Sequence, residues 1–296
     1  MNWGESQRIR QVQTPMIPVV GEWIAQHPGT ISLGQGVVHY PAPAAVGVAV
    51  TTAMQSDPAV DRYGLVRGTS GLLQAIEQKV ETENQTTLAD RSVVVTTGSN
   101  MGFLNAVLAI ADVGDEIMLV SPYYFNHEMA IEIAGCRVVV VPTDSEYQLD
   151  LDRLADAITP KTKAIVTVSP NNPTGAVYPA DRLTAVNQLC RERSLYHISD
   201  EAYEYFNYSA EPHFSPASLP ESTAHTISLY TLSKAYGMAG WRVGYMVIPA
   251  HLEVAVKKIQ DTNLVCPPIV NQLAAQAAMT SAGRDWCHQR IASSRP

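Results

Sequence analysis

Short runs of apolar, often β-branched residues alternate along the chain with stretches whose apolar positions recur at helical spacing. The runs predict strands and the stretches predict helices, because side chains repeat every two residues in a strand and about every 3.6 in a helix. The predicted strands span residues 92–96, 116–120, 137–141, 164–168, 197–199, 226–230 and 245–248. The predicted helices span residues 44–54, 70–83, 102–111, 124–134, 151–157, 179–194 and 269–281.

Several of the strand runs are apolar at nearly every position, which is typical of strands that helices cover on both faces. Together with the alternation of strand and helix, this predicts an α/β fold, a three-layer α/β/α sandwich around a mostly parallel mixed sheet. In such sheets ligands bind beyond the carboxyl ends of the strands. The loops that follow the strands are therefore the expected place for functional side chains.

Composition and charge narrow the class of protein. The chain has 296 residues, of which 46% are hydrophobic and 16% charged, and this balance favours a compact globular fold over disorder. A formal net charge of −8 opposes binding to nucleic acid or to membrane surfaces. The sequence contains no apolar run long enough to span a membrane, its first residues lack the apolar stretch expected of a signal peptide, and its four cysteines lack metal-ligand or redox spacing. We expect a cytoplasmic enzyme without a metal site.

A loop rich in glycine and hydroxyl side chains follows the predicted strand 226–230. It includes Thr231, Ser233, Lys234 and Arg242. A lysine that leaves a buried strand between hydroxyl residues suits imine formation, and the nearby guanidinium suits a phosphate. The alternative is a glycine-rich loop with an incidental lysine and arginine. The grouping of these residue types favours the first interpretation.

The segment 231–244, TLSKAYGMAGWRVG, resembles the S-K-x-[FY]-G-[ML]-x-G-x-R-[VIL]-G signature of the class I and II aminotransferases, which are fold type I enzymes dependent on pyridoxal 5′-phosphate (PLP). Other segments similar to family motifs follow in the family's order along nearly the whole sequence. The resemblance implies that Lys234 holds PLP as an imine and then acts as the base at the substrate Cα. It implies a ping-pong reaction that moves the amino group of an L-amino acid to a 2-oxo acid.

Two further motifs follow predicted strands. Asp200 and Tyr203 belong to a segment similar to the family's D-x-A-Y, and Asn172 to one similar to N-P-T-G. Taken alone, both segments read as ordinary turns. The resemblance implies that Asp200 keeps the pyridine nitrogen of PLP protonated, which makes the ring an electron sink. It also implies that Tyr203 and Asn172 contact the ring hydroxyl, and that Asn172 lies beside the substrate.

Small polar residues stand at the predicted start of a helix, where backbone N–H groups attract an anion. The resemblance assigns two of them, Ser99 and Asn100, to the cofactor phosphate. The P-Y-Y-F segment is similar to the family's P-x-[YF] motif, with Phe125 where proline is frequent. Of Tyr123 and Tyr124, we prefer Tyr124 as the residue that stacks on the pyridine ring.

The segment YGLVRG begins at Tyr63 and is similar to the family's Y-x-x-x-x-G. The resemblance implies that Tyr63 reaches the PLP phosphate of a neighbouring subunit, and therefore a homodimer with shared sites. The alternative is a surface-loop tyrosine. Gly36 lies in a segment that resembles the lining of the family's substrate pocket, and Tyr40 faces either an aromatic substrate or solvent. The amino-acid and 2-oxo-acid substrates stay open.

The resemblance divides the chain into an N-terminal arm with part of a small domain (1–45), a large PLP-binding domain (46–275) and the start of an interdomain helix (276–296). The remainder of the small domain, which would carry the arginine for the substrate α-carboxylate, is expected to be absent. We interpret Arg284, Arg290 and Arg295 as solvated helix charges. A catalytically impaired or regulatory PLP-binding protein and a PLP lyase therefore remain alternatives.

Overall fold

In the computed structural model, residues 3–32, 34 and 36–294 are described. They form one seven-stranded sheet in the order β1-β7-β6-β5-β4-β2-β3. Strand β7 runs antiparallel to β1 and β6, and the other neighbouring strands pair in parallel. The strands are β1 Arg91–Thr96, β2 Glu116–Ser121, β3 Arg137–Pro142, β4 Thr162–Val168, β5 Tyr196–Asp200, β6 Thr226–Thr231 and β7 Gly244–Pro249. The predicted mostly parallel mixed sheet is confirmed.

The described residues also form eleven α-helices. They are α1 Gln7–Gln11, α2 Met16–Gln26, α3 Ala44–Ser56, α4 Ser70–Thr82, α5 Ser99–Ile110, α6 Phe125–Ile133, α7 Leu151–Asp156, α8 Ala180–Glu192, α9 Glu253–Asn263, α10 Ile269–Ala278 and α11 Ser281–Ala292. The single helix predicted over 269–281 is wrong at its C-terminal end. The hydroxyl of Thr280 accepts a hydrogen bond from the Gly283 N–H at 3.2 Å, and this cap starts a new helix.

Helices cover the sheet on both faces, which gives the three layers. On one face α5, α6 and α9 bury side chains such as Phe103 against Ile117. On the other face α3, α4, α10 and α11 pack at one end, where Ile76 and Tyr230 belong to the same buried cluster. Helices α7 and α8 pack at the other end of that face. Burial of each apolar side chain stabilises the folded state by about 1.5–3 kcal/mol relative to its exposure. Because helices cover both faces of the sheet, apolar residues are favoured at successive positions of these strands.

The topology brings several loops to one edge of the sheet. Strands β1, β2, β4, β5 and β6 all end at this edge, and antiparallel β7 begins there. The loops that the sequence singles out therefore converge, as expected for a parallel sheet. The four cysteines are buried and unpaired. Of the helices formed by the described residues, none is both long and apolar enough to cross a membrane.

Candidate active site

A cavity of about 600 Å³ opens at the edge where these loops meet. Its walls come from the ends of β1, β2, β4, β5 and β6 and the loops that follow them, the last of which leads into β7, from the segment that precedes α3 and from Ile17 of α2. All the predicted site residues except Tyr63 line it, namely Gly36, Ser99, Asn100, Tyr124, Asn172, Asp200, Tyr203, Thr231, Ser233, Lys234 and Arg242. Residues spread over about two thirds of the sequence thus share one cavity.

The amine of Lys234 lies inside this cavity. Its Nζ donates a hydrogen bond to the carbonyl oxygen of Gly36 at 2.9 Å, and it lies 5.6 Å from the centre of the Tyr203 ring. Burial lowers the pKa of Lys234, the charge of Arg242 lowers it further, and Asp200 acts in the opposite direction. The neutral amine, which is the nucleophilic and basic form, is therefore favoured relative to a surface lysine.

Asp200 is held by a buried histidine. At the end of β5 its carboxylate is 4% exposed, and its Oδ2 lies 3.0 Å from Nε2 of His127. Because a carboxylate only accepts, we assign the shared proton to His127. The imidazole stacks on Phe103 with ring centres 4.0 Å apart, and the N–H of Ala202 donates to the other carboxylate oxygen at 3.0 Å. These contacts hold the carboxylate in one orientation at the cavity wall.

Sequence reasoning missed His127. The available signal was its position three residues after Tyr124 in α6, since residues three apart in a helix share a face. A single histidine in a predicted helix does not stand out without its partner. The structure supplies that partner at the end of a strand 73 residues further along the chain.

Tyr203 and Asn172 meet in the lining of the same cavity. The side-chain amide of Asn172 donates to the hydroxyl of Tyr203 at 3.2 Å. Burial raises the pKa of Tyr203 to about 12, with Asp200 and Tyr124 adding to the rise and the Asn172 hydrogen bond opposing it. The phenol therefore keeps its proton at neutral pH and can donate it in a hydrogen bond.

A second group of polar side chains forms a cradle for an anion. Nη1 of Arg242 donates to Oγ of Ser233 at 3.1 Å, and the Thr231 hydroxyl donates to the same oxygen at 3.0 Å. Gly98 precedes the first residue of α5, and a Cβ placed on it would lie only 2.4 Å from Nη2 of Arg242. The guanidinium thus packs directly against the N-terminus of α5. A fixed cation beside free helix amides is a strong site for a phosphate group.

The two adjacent tyrosines separate at the start of α6. The hydroxyl of Tyr124 accepts a hydrogen bond from the Asn126 side chain at 2.7 Å and one from Asn100 at 3.5 Å, and its ring lines the cavity. The hydroxyl of Tyr123 donates instead to Glu128 at 2.9 Å, and Tyr123 does not line the cavity. The structure therefore places the preferred tyrosine, Tyr124, where it can contact a flat ligand.

Two residues discussed from the sequence lie elsewhere. Tyr63 is 86% exposed and stands outside the cavity, near Cys266 and Ile269. Tyr40 faces neither the cavity nor solvent, so both expectations for it are wrong. It is buried, its hydroxyl donates to the carbonyl oxygen of Ala235 at 3.0 Å, and its ring meets the ring of Trp286 edge to face.

The interpretation of the C-terminal arginines holds only in part. Arg290 is exposed, as expected. Arg284 is largely covered, and its Nε lies 2.7 Å from a carboxylate oxygen of Glu83, so the solvated reading is wrong for this residue. The reason is that α11 packs near the end of α4, which a linear sequence does not reveal. Arg295 lies outside the described residues.

The fold and this cavity together define a known class. The sequence model of the family "Aminotransferase class I and II" matches residues 28–295, and the chain belongs to this family. Among curated relatives, the aromatic aminotransferase ISS1 of Arabidopsis thaliana is 31% identical over 97% of this chain and 73% of its own length. The aspartate/prephenate aminotransferase of Thermus thermophilus is 37% identical over 74% of this chain.

Comparison with solved structures gives the same family. Aspartate aminotransferase from Thermus thermophilus, solved with maleate, superposes with a TM-score of 0.91 and 31% identity. The superposition covers 98% of this chain and 77% of the Thermus chain. The sequence match to the Thermus aspartate/prephenate enzyme covers 57% of that relative's length. The similarity therefore extends through the present chain and over only part of the relatives.

Proposed function

We propose that this chain is a PLP-dependent aminotransferase that moves an amino group from an L-amino acid to a 2-oxo acid. The observation that carries the proposal is the arrangement of one cavity around three groups: the amine of Lys234, the fixed carboxylate of Asp200 and the anion cradle at Arg242. The family membership supports the same reaction class.

The donor set of the cavity fits PLP. The cradle at Arg242 and the N-terminus of α5 suit its phosphate, and Gly98 leaves space that a Cβ would fill. Asp200, held by His127, suits the pyridine nitrogen. Tyr203 and Asn172 suit the ring hydroxyl, Tyr124 suits a face of the ring, and Lys234 suits the aldehyde carbon. Every polar part of the cofactor has a side chain of matching chemistry.

When bound, PLP would supply an aldehyde for the substrate's amino group and an electron sink for the pair left at Cα. The neutral amine of Lys234 takes the proton from the substrate Cα, and burial and Arg242 favour this form by lowering its pKa. Asp200, whose carboxylate is fixed by His127, would keep a proton on the pyridine nitrogen of the cofactor. Tyr203 and Asn172 would donate hydrogen bonds to the ring hydroxyl. Two half-reactions in one site give ping-pong kinetics.

The proposal includes a homodimer with shared sites. Tyr63, the residue assigned to the neighbour's phosphate, is 86% exposed, and Leu65 beside it is 69% exposed. A tyrosine and a leucine held on the surface are available to a second copy of the chain. The four buried, unpaired cysteines support the cytoplasmic location, since reducing compartments keep thiols free.

The test is the visible absorption spectrum of the chain with PLP, recorded for the native protein, Lys234→Ala and the matched surface variant Lys258→Ala. We expect a lysine-dependent band in the native protein and in Lys258→Ala only. Amino acids should abolish the band, and a 2-oxo acid should restore it. Release of pyruvate and ammonia from a β-substituted amino acid would indicate a lyase. A band that no amino acid changes would indicate a cofactor-binding protein, and no lysine-dependent band would contradict the proposal.

A further inference from the structure

A lysine that takes no part in the cavity lining is buried behind the loop that carries Tyr203. The side chain of Lys79, in α4, is 1% exposed, and Lys79 is not among the described residues that line the cavity. Taking an ammonium group out of water is unfavourable unless charged or polar partners replace the water. The partners of Lys79 therefore show what this buried charge holds in place.

The ionic partner of Lys79 comes from that loop. Nζ of Lys79 forms an ion pair with the carboxylate of Glu204, which directly follows Tyr203 and whose side chain is 12% exposed. Asn84 closes the group, because its Oδ1 accepts from Nζ at 2.7 Å and its Nδ2 donates to Oε2 of Glu204 at 2.9 Å. The ammonium also lies 4.8 Å from the centre of the Tyr230 ring. These contacts fix the Glu204 side chain against α4.

Glu204 begins a short 3₁₀ turn that is bonded to the backbone of Tyr203. The turn spans Glu204–Phe206, and its last N–H donates to the Tyr203 carbonyl oxygen at 2.8 Å. The next residue is tied to the same helix end, since the hydroxyl of Tyr205 donates to Glu83. The first two residues of the turn are thus anchored to α4. A shift of Glu204 would move the backbone of Tyr203 and with it the phenol.

The phenol meets the cavity through contacts that depend on its exact place. Its hydroxyl accepts from the Asn172 side chain at 3.2 Å, and the amine of Lys234 lies 5.6 Å from the centre of its ring. A hydrogen bond weakens steeply as its geometry departs from the optimum. Small displacements of Tyr203 therefore change the cavity, although Lys79 itself does not line it.

We infer that Lys79 and Glu204 are positioning residues for Tyr203: their buried ion pair holds the phenol against Asn172 and, in the PLP-loaded chain, against the ring hydroxyl. Only the contact with the ring hydroxyl rests on the proposed function. A buried ion pair adds little net stability compared with apolar residues of the same volume. Its contribution at this place is a fixed geometry.

NMR of the chain with ring-labelled tyrosine tests the inference without PLP. Tyr203→Phe identifies the Tyr203 signal. Glu204→Gln, which removes the charge and nearly keeps the shape, should shift or broaden that signal. The matched control is Glu116→Gln, at a buried carboxylate in the first position of β2, and it should leave the signal unchanged. An unchanged Tyr203 signal in Glu204→Gln would overturn the inference.

Absorption spectra of the PLP-loaded chain test the contact with the ring hydroxyl. The phenol and the lysine-linked N–H compete for the ring oxygen, so loss of the phenol should let that nitrogen keep its proton to higher pH. Tyr203→Phe should raise the pH midpoint of the lysine-dependent band by about one unit, the size of a hydrogen bond to a charged oxygen. Glu204→Gln should raise it less, and add nothing in the Tyr203→Phe background. Additive shifts would show that Glu204 acts by another route and would overturn the inference.

A neutral pair separates positioning from stability. Lys79→Met leaves the Glu204 carboxylate buried without its cation, so it should lower the free energy of unfolding, measured with urea. Lys79→Met combined with Glu204→Gln removes both charges and should recover most of that loss, while the midpoint of the band stays raised. Recovery of the native midpoint as well would overturn the inference. A native chain without a lysine-dependent band would contradict the proposed function, and the Tyr203 signal would still decide the positioning role.

Discussion

The imidazole of His127 lies 3.0 Å from the carboxylate of Asp200, and both groups are buried. The contact joins the first turn of α6 to the last residue of β5, so one hydrogen bond links a helix and a strand that meet at the cavity edge of the sheet. The Phe103 ring stacks on one face of the imidazole. The orientation of the Asp200 carboxylate is therefore set partly by His127 and Phe103, which do not themselves line the cavity.

Asp200→Asn should lower turnover by roughly 10²-fold or more, because removal of one preorganised charge from an active site costs about this much. His127→Asn should have a smaller effect, since it leaves the charge and loosens only its orientation. Steady-state kinetics on both variants, with circular dichroism as a folding control, checks the order. A larger loss for His127→Asn than for Asp200→Asn would contradict these assignments.

Gly98→Ala should weaken the binding of PLP and of inorganic phosphate by about tenfold or more. Its φ of 79° is unfavourable for alanine, and the added Cβ would lie 2.4 Å from Nη2 of Arg242. The matched control is Gly240→Ala in the loop before β7, where a Cβ has nothing within 4 Å. Equilibrium titration gives both affinities. Equal affinity for the two variants would show that the Arg242 contact does not form the cradle.

The pKa of Lys234 should lie below the ordinary 10.5, because burial and Arg242 both disfavour the charged amine. The rate of imine formation with pyridoxal, which lacks the phosphate, should rise with pH through this pKa as the neutral amine appears. Arg242→Gln should move the midpoint to higher pH and Asp200→Asn to lower pH, because the two charges act in opposite directions. Midpoints that stay unchanged in both variants would contradict this electrostatic account.

Stability should fall as the pH drops below the ordinary histidine pKa of 6.5, with His197 as one cause. Burial, followed by the charge of His225, lowers the pKa of His197 to about 3. Between pH 6.5 and about pH 3, His197 is protonated in the unfolded chain and neutral in the folded chain. Each pH unit therefore removes up to about 1.4 kcal/mol of unfolding free energy, and above pH 6.5 the contribution is fully retained.

Urea unfolding at pH 7 and pH 5 measures this slope. His197→Gln should lower stability at pH 7, because Thr167 and Asn187 lose well-placed hydrogen bonds at 2.8 and 3.0 Å. The same variant should show a shallower pH dependence than the native chain. His27→Gln, at an exposed histidine, should keep the native slope. An unchanged slope in His197→Gln would exclude this residue as a source.

Much of the fold and the cavity could be predicted because the relevant signals are local in sequence. Runs such as 164–168 are apolar on both faces only where helices cover both, so they mark buried strands. Lys234 and Arg242 lie in one loop, and the rule that parallel strands end together brings that loop to Asp200 and Asn172. The motif favours Tyr124 over Tyr123, and of these two rings it is the Tyr124 ring that lines the cavity.

What could not be predicted depends on contacts between distant segments. His127 is inconspicuous until β5 brings Asp200 to it. Tyr40 is buried because α11 brings Trp286 against its ring, and Arg284 is covered because the same helix brings it to Glu83. Helices α1 and α2 bury no residue in the described structure, so no core-facing pattern marks them. The division at residues 45 and 275 stays a prediction.

The antiparallel direction of β7 has a consequence for how this protein tolerates insertions. An α-helix lies between β2 and β3, between β3 and β4, and between β4 and β5. Length changes at the ends of these helices that point away from the cavity can therefore be absorbed without moving the site. Strands β6 and β7 are joined instead by a short direct connection that carries both Lys234 and Arg242. The length of that connection therefore sets the separation between the amine of Lys234 and the anion cradle at Arg242. One added residue in it would change the distance that a ligand must span.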